Sequence, residues 1–172
     1  MPDLTELLTS FRYSAFRLET LSEYAMDEEA ELFESFLRGE PLPEWTPDNN
    51  TWLRMVADHK VAGRIMSRVH LVTPPLCDYL RFEFAAQVPS VHAGEDIRVA
   101  DLTEHRGLAH LEQDFWLFDS EIVLLQHYDD QGRFLGSELT TDAADVAHFR
   151  QVRDQALDAS MPLMEYLTAL GT

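Results

Sequence analysis

The residues best suited to chemistry in this chain are charged and aromatic side chains on either side of a double proline. Arg68 and His70 stand two residues apart, so on a strand they share one face, and a carboxylate opposite them would satisfy both. Tyr79, Arg81 and Glu83 follow in a predicted helix and could present a recognition surface. The candidate binding surface adds two residues from a later stretch: Arg68, His70, Tyr79, Arg81, Glu83, Trp116 and Asp119.

These residues also fit structural roles. Arg81 follows Asp78 by three residues, which is the spacing of an ordinary ion pair on a helix. Trp116 lies in the apolar run FWLF and fits a core equally well. The pattern therefore predicts binding residues and names no reaction.

The sequence carries no recognised signature of catalysis or metal binding. It has no G-x-S-x-G motif, and no signature partner accompanies Cys77, so nucleophilic catalysis is not indicated. The seven glycines are scattered singly and form no phosphate-binding loop. The residues nearest to a metal site match no zinc spacing: His105, His110, Glu112 and Asp114. We expect no catalytic residue, no metal and no cofactor.

The charge balance limits the partners. The chain has 13 basic and 31 acidic residues, a net charge of −18, and Lys60 is its single lysine. Such a surface repels nucleic-acid phosphates and anionic lipids, so neither direct nucleic-acid binding nor membrane binding is expected. It attracts a basic protein, although excess carboxylates also serve solubility alone. One unpaired cysteine, Cys77, and the lack of a leader pattern favour a cytoplasmic protein.

The element that organises the chain is a strand and helix joined at Pro74 and Pro75. Residues 61–73 alternate as a half-buried strand, and a helix is predicted from Pro75 to about Gln87. Further strands are predicted at 13–24, 95–100, 115–118, 121–128 and 133–139. Further helices are predicted at 27–38, 51–59 and 141–170, the last kinked or restarted at Pro162.

The remaining segments connect these elements. Residues 1–10 are predicted as a short helical or frayed lead-in, 40–50 as an internal loop, Pro89 to Gly94 as a turn and 101–113 as a loop. The length of 172 residues suits one domain, 1–172. The order of elements predicts an α/β (α+β) fold with a mixed sheet flanked by helices.

Four motifs in order resemble a family of actinobacterial proteins of unknown function: RVHLVTPPLCDYLRFE, AGEDIR, DFWLFD and GRFLGSEL. Members of that family are encoded beside helix-turn-helix regulators of the WhiJ type. The resemblance spans about Phe16 to Tyr166. It implies a regulatory protein partner rather than a metabolic substrate.

The order of strands and helices, with a long C-terminal helix, is also similar to one half of a phospholipase D-like domain. The catalytic signature of that superfamily is a His, a Lys two residues later and an Asp five residues beyond the Lys. If Asp119 matches the Asp, then Glu112 and Asp114 occupy the His and Lys positions. A carboxylate in place of the Lys would repel a phosphodiester, so the resemblance implies an inactive site and favours a homodimer.

Three functions remain open from the sequence. The leading hypothesis is a non-catalytic regulatory or adaptor protein that binds a helix-turn-helix regulator through its acidic surface. One alternative is a small hydrolase or transferase that uses carboxylates and histidines at the sheet ends: Asp119, Glu112, His110 and His70. The other is a small-ligand sensor in which Tyr79, Arg81 and Trp116 line a pocket.

Overall fold

A computed structural model describes residues 1–171 of the chain. Its helices are α1 (Leu4–Ser10), α2 (Ala30–Leu37), α3 (Thr51–Val61), α4 (Asp78–Ala93), α5 (Ala143–Asp158) and α6 (Leu163–Ala169). Its strands are β1 (Ser14–Glu19), β2 (Ile65–Val72), β3 (Asp96–Asp101), β4 (Asp114–Phe118), β5 (Ile122–Tyr128), β6 (Phe134–Thr140) and β7 (Met161–Pro162). Short 3₁₀ turns lie at Asp27–Glu29 and Arg106–Leu108.

The strands form one seven-stranded sheet in the order β6-β5-β4-β1-β2-β3-β7. β1, β2 and β3 run parallel, and the remaining neighbours pair antiparallel. The helical segments between β1 and β2 and between β2 and β3 supply the crossovers that parallel strands need. The predicted α+β domain with a mixed sheet flanked by helices is therefore confirmed. Within residues 1–171, every helix is too short or too polar to cross a membrane.

The two faces of the sheet differ in chemistry because side chains alternate along each strand. On one face Phe16, Leu18 and Val69 join an apolar core with Val152 and Ala156 of α5. The opposite face lies under α3 and α4 and carries the polar side chains of the central strands: Arg17, Glu19, Arg68, His70, Trp116 and Gln126. The functional site is built on this second face.

The helix after the double proline extends further than predicted. α4 continues through Pro89 to Ala93, so the predicted turn at Pro89 to Gly94 is wrong. A proline inside a helix removes one backbone hydrogen bond. The helix ends instead at Gly94, whose φ of +125° suits glycine and whose N–H bonds to the Ser90 carbonyl at 3.1 Å. Ser90 is buried in this extra turn, which holds it against the polar face of the sheet.

The C-terminal segment forms two helices instead of one. α5 ends at Asp158, and Met161 and Pro162 then pair with β3 before α6 begins. Pro162 occupies the N-cap of α6, where its missing N–H removes no intrahelical bond. The predicted restart at Pro162 is confirmed, and a continuous helix up to that proline is not.

The outcomes at the lead-in and at the first two strands complete the comparison. Of the two alternatives for the lead-in, the helical one is confirmed, because Asp3 and Glu6 form a reciprocal capping box at the start of α1. The first strand ends at Glu19 instead of continuing to residue 24. The second strand begins at Ile65 because α3 continues to Val61.

Candidate functional site

The register of β1 brings ionisable side chains together on the polar face. Arg17 pairs with Arg68 across the parallel β1–β2 ladder, and Glu19 pairs with His70. On its other side, Arg17 pairs with Trp116 of β4. Neighbouring strands are about 4.8 Å apart, so two adjacent guanidinium groups need carboxylates beside them.

Glu19 supplies the carboxylate between these strands. Its Oε1 lies 3.3 Å from Nη1 of Arg68, its Oε2 lies 2.8 Å from Nδ1 of His70, and Nε of Arg17 lies 3.7 Å from Oε1. Burial opposes ionisation, but His70, Arg68 and Arg17 outweigh it and hold the pKa of Glu19 well below its ordinary value. Glu19 is thus a carboxylate that satisfies both Arg68 and His70.

A second chain of hydrogen bonds ties Arg68 to the covering helices. Nε of Arg68 donates to Glu95 at 2.9 Å, Oγ of Ser90 donates to Glu95 at 2.7 Å, and Nε1 of Trp52 donates to Oγ of Ser90 at 3.1 Å. The Arg68 guanidinium also lies over the Trp52 ring, 5.7 Å from its centroid. Burial disfavours the guanidinium charge, but Glu95 and Glu19 raise the pKa of Arg68 above its ordinary value.

Asp114 at the start of β4 holds the other end of the network. It accepts hydrogen bonds from Nη2 of Arg17 at 3.1 Å, from the backbone N–H and hydroxyl of Thr20 at 2.9 and 2.6 Å, and from the Tyr24 hydroxyl at 2.6 Å. Burial raises the pKa of Asp114 despite these donors. Burial also raises the pKa of Tyr24, so its hydroxyl stays protonated and donates. The Arg17 guanidinium lies over Trp116, 5.8 Å from the ring centroid.

His70 links this floor to α4. Its Nδ1 faces Glu19, and its Nε2 lies 2.8 Å from Oε1 of Gln87. Nε2 of Gln87 in turn donates to Oε2 of Glu83 at 3.2 Å. Each ring nitrogen of His70 therefore lies 2.8 Å from a side-chain oxygen, of Glu19 or of Gln87.

A cavity of about 700 Å³ lies between this polar floor and the helices. The strands contribute Arg17, Arg68, Trp116 and Gln126. The helices and the segment after β1 contribute the walls and cover, including Tyr24, Glu29, Leu32, Trp52, Tyr79, Phe82, Glu83 and Ala86. All three tryptophans of the chain line it: Trp45, Trp52 and Trp116. The volume is in the range of small-molecule binding sites.

Two carboxyl groups meet at the helical wall of this cavity. Burial raises the pKa of Glu83 to about 8, with further contributions from Glu29 and Glu19 that Arg68 only partly offsets. The Tyr79 hydroxyl donates to Oε2 of Glu29 at 3.2 Å. Within residues 1–171, no basic side chain forms an ion pair with Glu29 or Glu83.

The structure brings five of the seven candidate residues to this site. Four of them line the cavity: Arg68, Tyr79, Glu83 and Trp116. The fifth, His70, does not line it but contacts Glu19 and Gln87, which do. Arg81 is exposed on α4 and does not line the cavity, and among the described residues it forms no ion pair with Asp78. The predicted i,i+3 pair is therefore wrong.

Asp119 lies away from the cavity and has a structural environment. Its carboxylate accepts backbone N–H bonds from Arg12, Tyr13 and Ser14 at 2.7–3.1 Å, which ties the turn after β4 to the start of β1. Burial acts against ionisation, but these donors hold the pKa of Asp119 below its ordinary value. Ser14 and Glu19 are five residues apart on β1, so Asp119 lies roughly 16 Å from the Glu19–His70 pair.

The residues proposed for a hydrolase do not form one site. His70 is buried between Glu19 and Gln87, His110 is exposed in the loop before β4, and Asp119 lies at the far end of the sheet. Across residues 1–171, no three His, Cys, Asp or Glu side chains are grouped so that they could hold a metal ion.

Sequence reasoning missed much of the site: Arg17, Glu19, Trp52, Ser90, Glu95 as an ion-pair partner, and Asp114 as the partner of Arg17. One signal was present. Arg17 and Glu19 alternate with Phe16 and Leu18, so β1 places two charges on the face opposite an apolar core. No local pattern indicates which strands lie beside β1, so the partners of those charges were not predictable.

Comparisons with known proteins concern the family and the fold. The chain matches a family model described as a domain of unknown function, DUF6879, over residues 2–168. Among curated proteins, none matches this sequence. Among solved structures, it is similar to Nuc from Salmonella typhimurium, a phospholipase D family member, with a TM-score of 0.52 and 10% identity. That alignment covers 91% of this chain and 85% of Nuc, and at this identity it shows the fold alone.

Proposed function

Since the chain belongs to the DUF6879 family, whose function is unknown, we propose its function from the site: it binds a small molecule in the cavity between its sheet and its helices. The observation that carries this proposal is the cavity of about 700 Å³, which joins aromatic walls to a floor of oriented charged groups. Ligand sites typically combine apolar and aromatic walls with a few fixed polar groups. This is the sensor hypothesis of the sequence, with Arg68 and Trp52 in place of Arg81.

Binding fits the site better than catalysis because the reactive groups on the floor of the cavity already contact protein partners. Both nitrogens of His70 face acceptors, the oxygens of Asp114 accept four hydrogen bonds, and the Ser90 hydroxyl donates to Glu95. A general base or nucleophile must lie within hydrogen-bond distance of a substrate atom. Next to these groups, protein atoms already occupy that position.

A fragment screen tests this function. Ligand-observed NMR with a mixed set of neutral, cationic and anionic fragments measures binding, and tryptophan fluorescence locates it because all three tryptophans line the cavity. The variant Ala86→Phe places a phenyl ring in the cavity, and Ala147→Phe adds the same ring to an exposed position on α5. We expect binding that Ala86→Phe abolishes and Ala147→Phe preserves. Binding that is equal in both variants, or no binding at all, contradicts the proposal.

We propose, second, that the protein acts in the cytoplasm as an adaptor for a helix-turn-helix regulator. The observation that favours a basic partner is the segment 23–48, in which nine acidic residues accompany one basic residue, Arg38. Glu29 is half-buried, and the other eight acids are exposed: Glu23, Asp27, Glu28, Glu31, Glu34, Glu40, Glu44 and Asp48. The family resemblance supports the identity of the partner. In this proposal the protein contacts neither DNA nor lipid itself.

Light scattering coupled to size-exclusion chromatography tests the adaptor role. The protein is run alone and mixed with a helix-turn-helix regulator of the WhiJ type, at about 0.1 M and about 1 M NaCl. We expect a mixed complex that weakens at the higher salt and that a Glu31→Lys, Glu34→Lys variant weakens further. Charge reversal of the exposed Glu138 and Glu165, on other surfaces, is the control. Elution of two separate proteins under both conditions rules the adaptor role out.

A further inference from the structure

We propose that the ligand of the cavity is a small organic cation, an amine or quaternary ammonium whose charged group lies between Glu29 and Glu83. This names the ligand class of the site, and it therefore rests on the proposed function. The cation carries an apolar or aromatic body and a hydrogen-bond acceptor that reaches the floor. Four features of the cavity support this class.

The charges around the cavity are balanced on the floor and unbalanced on the helical wall. On the floor, Arg17 and Arg68 pair with acids at 2.9–3.7 Å. On the wall, Glu29 and Glu83 stand next to each other without a basic partner among the described residues. Each has one oxygen oriented by a neutral donor: the Tyr79 hydroxyl for Glu29 and the Gln87 amide for Glu83, both at 3.2 Å. The wall therefore lacks one positive charge, which a ligand can supply.

The missing positive charge is consistent with the raised pKa of Glu83. Burial and the neighbouring Glu29 raise the pKa of Glu83 to about 8, so near neutral pH the Glu83 carboxyl holds a proton. A cation between the two carboxyl groups would replace that proton. Binding would then stabilise both carboxylates at once.

The side chains around the carboxyl pair suit a cation with an apolar body. Tyr79 and Phe82 lie on α4, as Glu83 does. The ring centroids of Tyr24 and Tyr79 are 6.5 Å apart. Aromatic faces attract organic cations, ammonium groups especially, through the ring quadrupole. Leu32 and Ala86 complete an apolar lining that bare metal ions do not require.

An independent feature on the floor indicates a hydrogen-bond acceptor. Nη1 of Arg17 has no hydrogen-bond partner among residues 1–171, although Arg17 is only 4% exposed and lines the cavity. A buried donor without a partner costs about 1–3 kcal/mol, which an acceptor on the ligand recovers. A full anion is disfavoured at this place because Glu19 and Asp114 already surround the guanidinium.

Matched compounds that differ only in charge test the ligand class. Tyramine is a cation, 4-ethylphenol is neutral and 4-hydroxyphenylacetate is an anion, and all three share one aromatic ring and one hydroxyl acceptor. Their affinities are measured by isothermal titration and by fluorescence of the cavity tryptophans, near neutral pH. We expect tyramine to bind at least about tenfold more tightly than either analogue. We expect Glu83→Gln and Glu29→Gln each to reduce that preference about tenfold, while Glu34→Gln, on the exposed side of α2, leaves it unchanged.

The outcomes separate the ligand class from the proposed function. Equal or tighter binding of the neutral or anionic compound overturns the cation class, while binding that Ala86→Phe abolishes still supports a ligand cavity. Tyramine binding that survives both glutamate substitutions also overturns the placement of the charge. Absence of binding by all three compounds, with fragments bound elsewhere in the cavity, rejects the cation class alone. Absence of any cavity binding rejects both proposals.

Discussion

At the residue scale, the main feature is a set of buried charges whose partners lie on different strands. Arg17 and Arg68 are direct neighbours in the sheet, and Glu19 contacts both of them and His70. Charges in such a place are tolerated only when they are paired and hydrogen-bonded. Removal of one member therefore leaves its neighbours with one opposite charge fewer.

The first prediction concerns Glu19. Glu19→Gln leaves two buried guanidinium groups short of a carboxylate, so we expect a loss of roughly 3–5 kcal/mol in the free energy of unfolding, measured by urea denaturation near neutral pH. Glu138→Gln is the matched control, because Glu138 is an exposed strand residue and its substitution is expected to cost less than about 0.5 kcal/mol. Equal losses in the two variants would contradict the network.

The Glu19 effect also has a defined direction with pH. The pKa of Glu19 is lower in the folded protein than in the unfolded chain, so its stabilising contribution is present above the ordinary glutamate pKa. That contribution decreases as the pH falls below about 4.5. The difference between wild type and Glu19→Gln should therefore shrink in acid.

The second prediction concerns Glu83 and has the opposite sign. Its pKa is about 8 in the folded protein against 4.5 as the ordinary value, so between these pH values the folded state holds a proton that the unfolded chain has released. Stability should then decrease as the pH rises through this interval. We expect Glu83→Gln to remove this decrease and to be more stable than wild type by up to about 4 kcal/mol near pH 8.

Denaturation by urea at several pH values measures the Glu83 effect. Glu34→Gln serves as the control, since Glu34 is exposed and no shift in pH dependence is expected from it. Parallel stability curves for wild type and Glu83→Gln would show that the carboxyl is not protonated in the folded protein.

At the element scale, the strands and helices determine which residues can meet in the cavity. The β1–β2–β4 arrangement supplies the floor, α4 supplies one wall, and residues 20–26 cross over the site after β1. This crossing segment is held by the β5–β6 hairpin, where the Ala25 N–H bonds to the Gly132 carbonyl at 2.9 Å. The hairpin therefore acts as a brace for the cover of the cavity.

The third prediction concerns this brace. Gly132 has φ of +76°, and a Cβ at this position would clash with the Glu23 carbonyl oxygen. Gly132→Ala should destabilise the protein by about 1–3 kcal/mol and displace residues 23–25, because both the backbone conformation and the contact become unfavourable. Thermal unfolding measures the stability, and hydrogen exchange of the Ala25 amide measures the displacement.

Gly107 provides the control for this substitution. A Cβ at Gly107 meets no atom within 4 Å, and its φ is not positive. Gly107→Ala should change neither the stability nor the exchange of Ala25. Slow exchange of Ala25 in Gly132→Ala would show that the hairpin does not hold the cover.

At the scale of the whole molecule, the net charge of −18 governs association. Copies of the chain carry the same charge and repel one another. Salt screens this repulsion, and at 0.1 M it is largely screened beyond about 10 Å. A complex with a basic protein responds in the opposite direction, because salt screens an attraction. Self-association and partner binding therefore have opposite salt dependences.

The fourth prediction concerns self-association of the chain. We expect the dimer fraction, measured by analytical ultracentrifugation, to increase between about 0.1 M and about 1 M NaCl. The edge strand β6, with Phe134 and Leu135 exposed, is a surface where a second copy could pair. A Leu135→Lys variant should lower the dimer fraction, whereas Met164→Lys, also at an exposed apolar residue, should not. A strictly monomeric protein at both salt concentrations removes the dimer from consideration.

The elements themselves were largely predictable from the sequence because their signals are local. Alternating and fourfold patterns predicted the strands and helices of the central part in the correct order, and the glycine and proline positions predicted most turns. The errors occurred where a tertiary contact overrode a local signal. Pro89 stays inside α4 because its turn is capped at Gly94 and buries Ser90, and Pro162 starts α6 after a two-residue strand beside β3.

The sequence alone determined the fold class, the acidic surface and the polar character of Arg68, His70 and Glu83, since composition and periodicity are properties of the chain itself. Only the tertiary structure decided which of these residues form a site. Strand order and register place Arg17 beside Arg68 and Glu19 beside His70, although each pair is separated by 51 positions along the chain. The same packing leaves a cavity between the sheet and α4, and it positions Asp119 and Arg81 outside that cavity. Contacts between distant residues depend on the packing of whole elements, which no local pattern encodes.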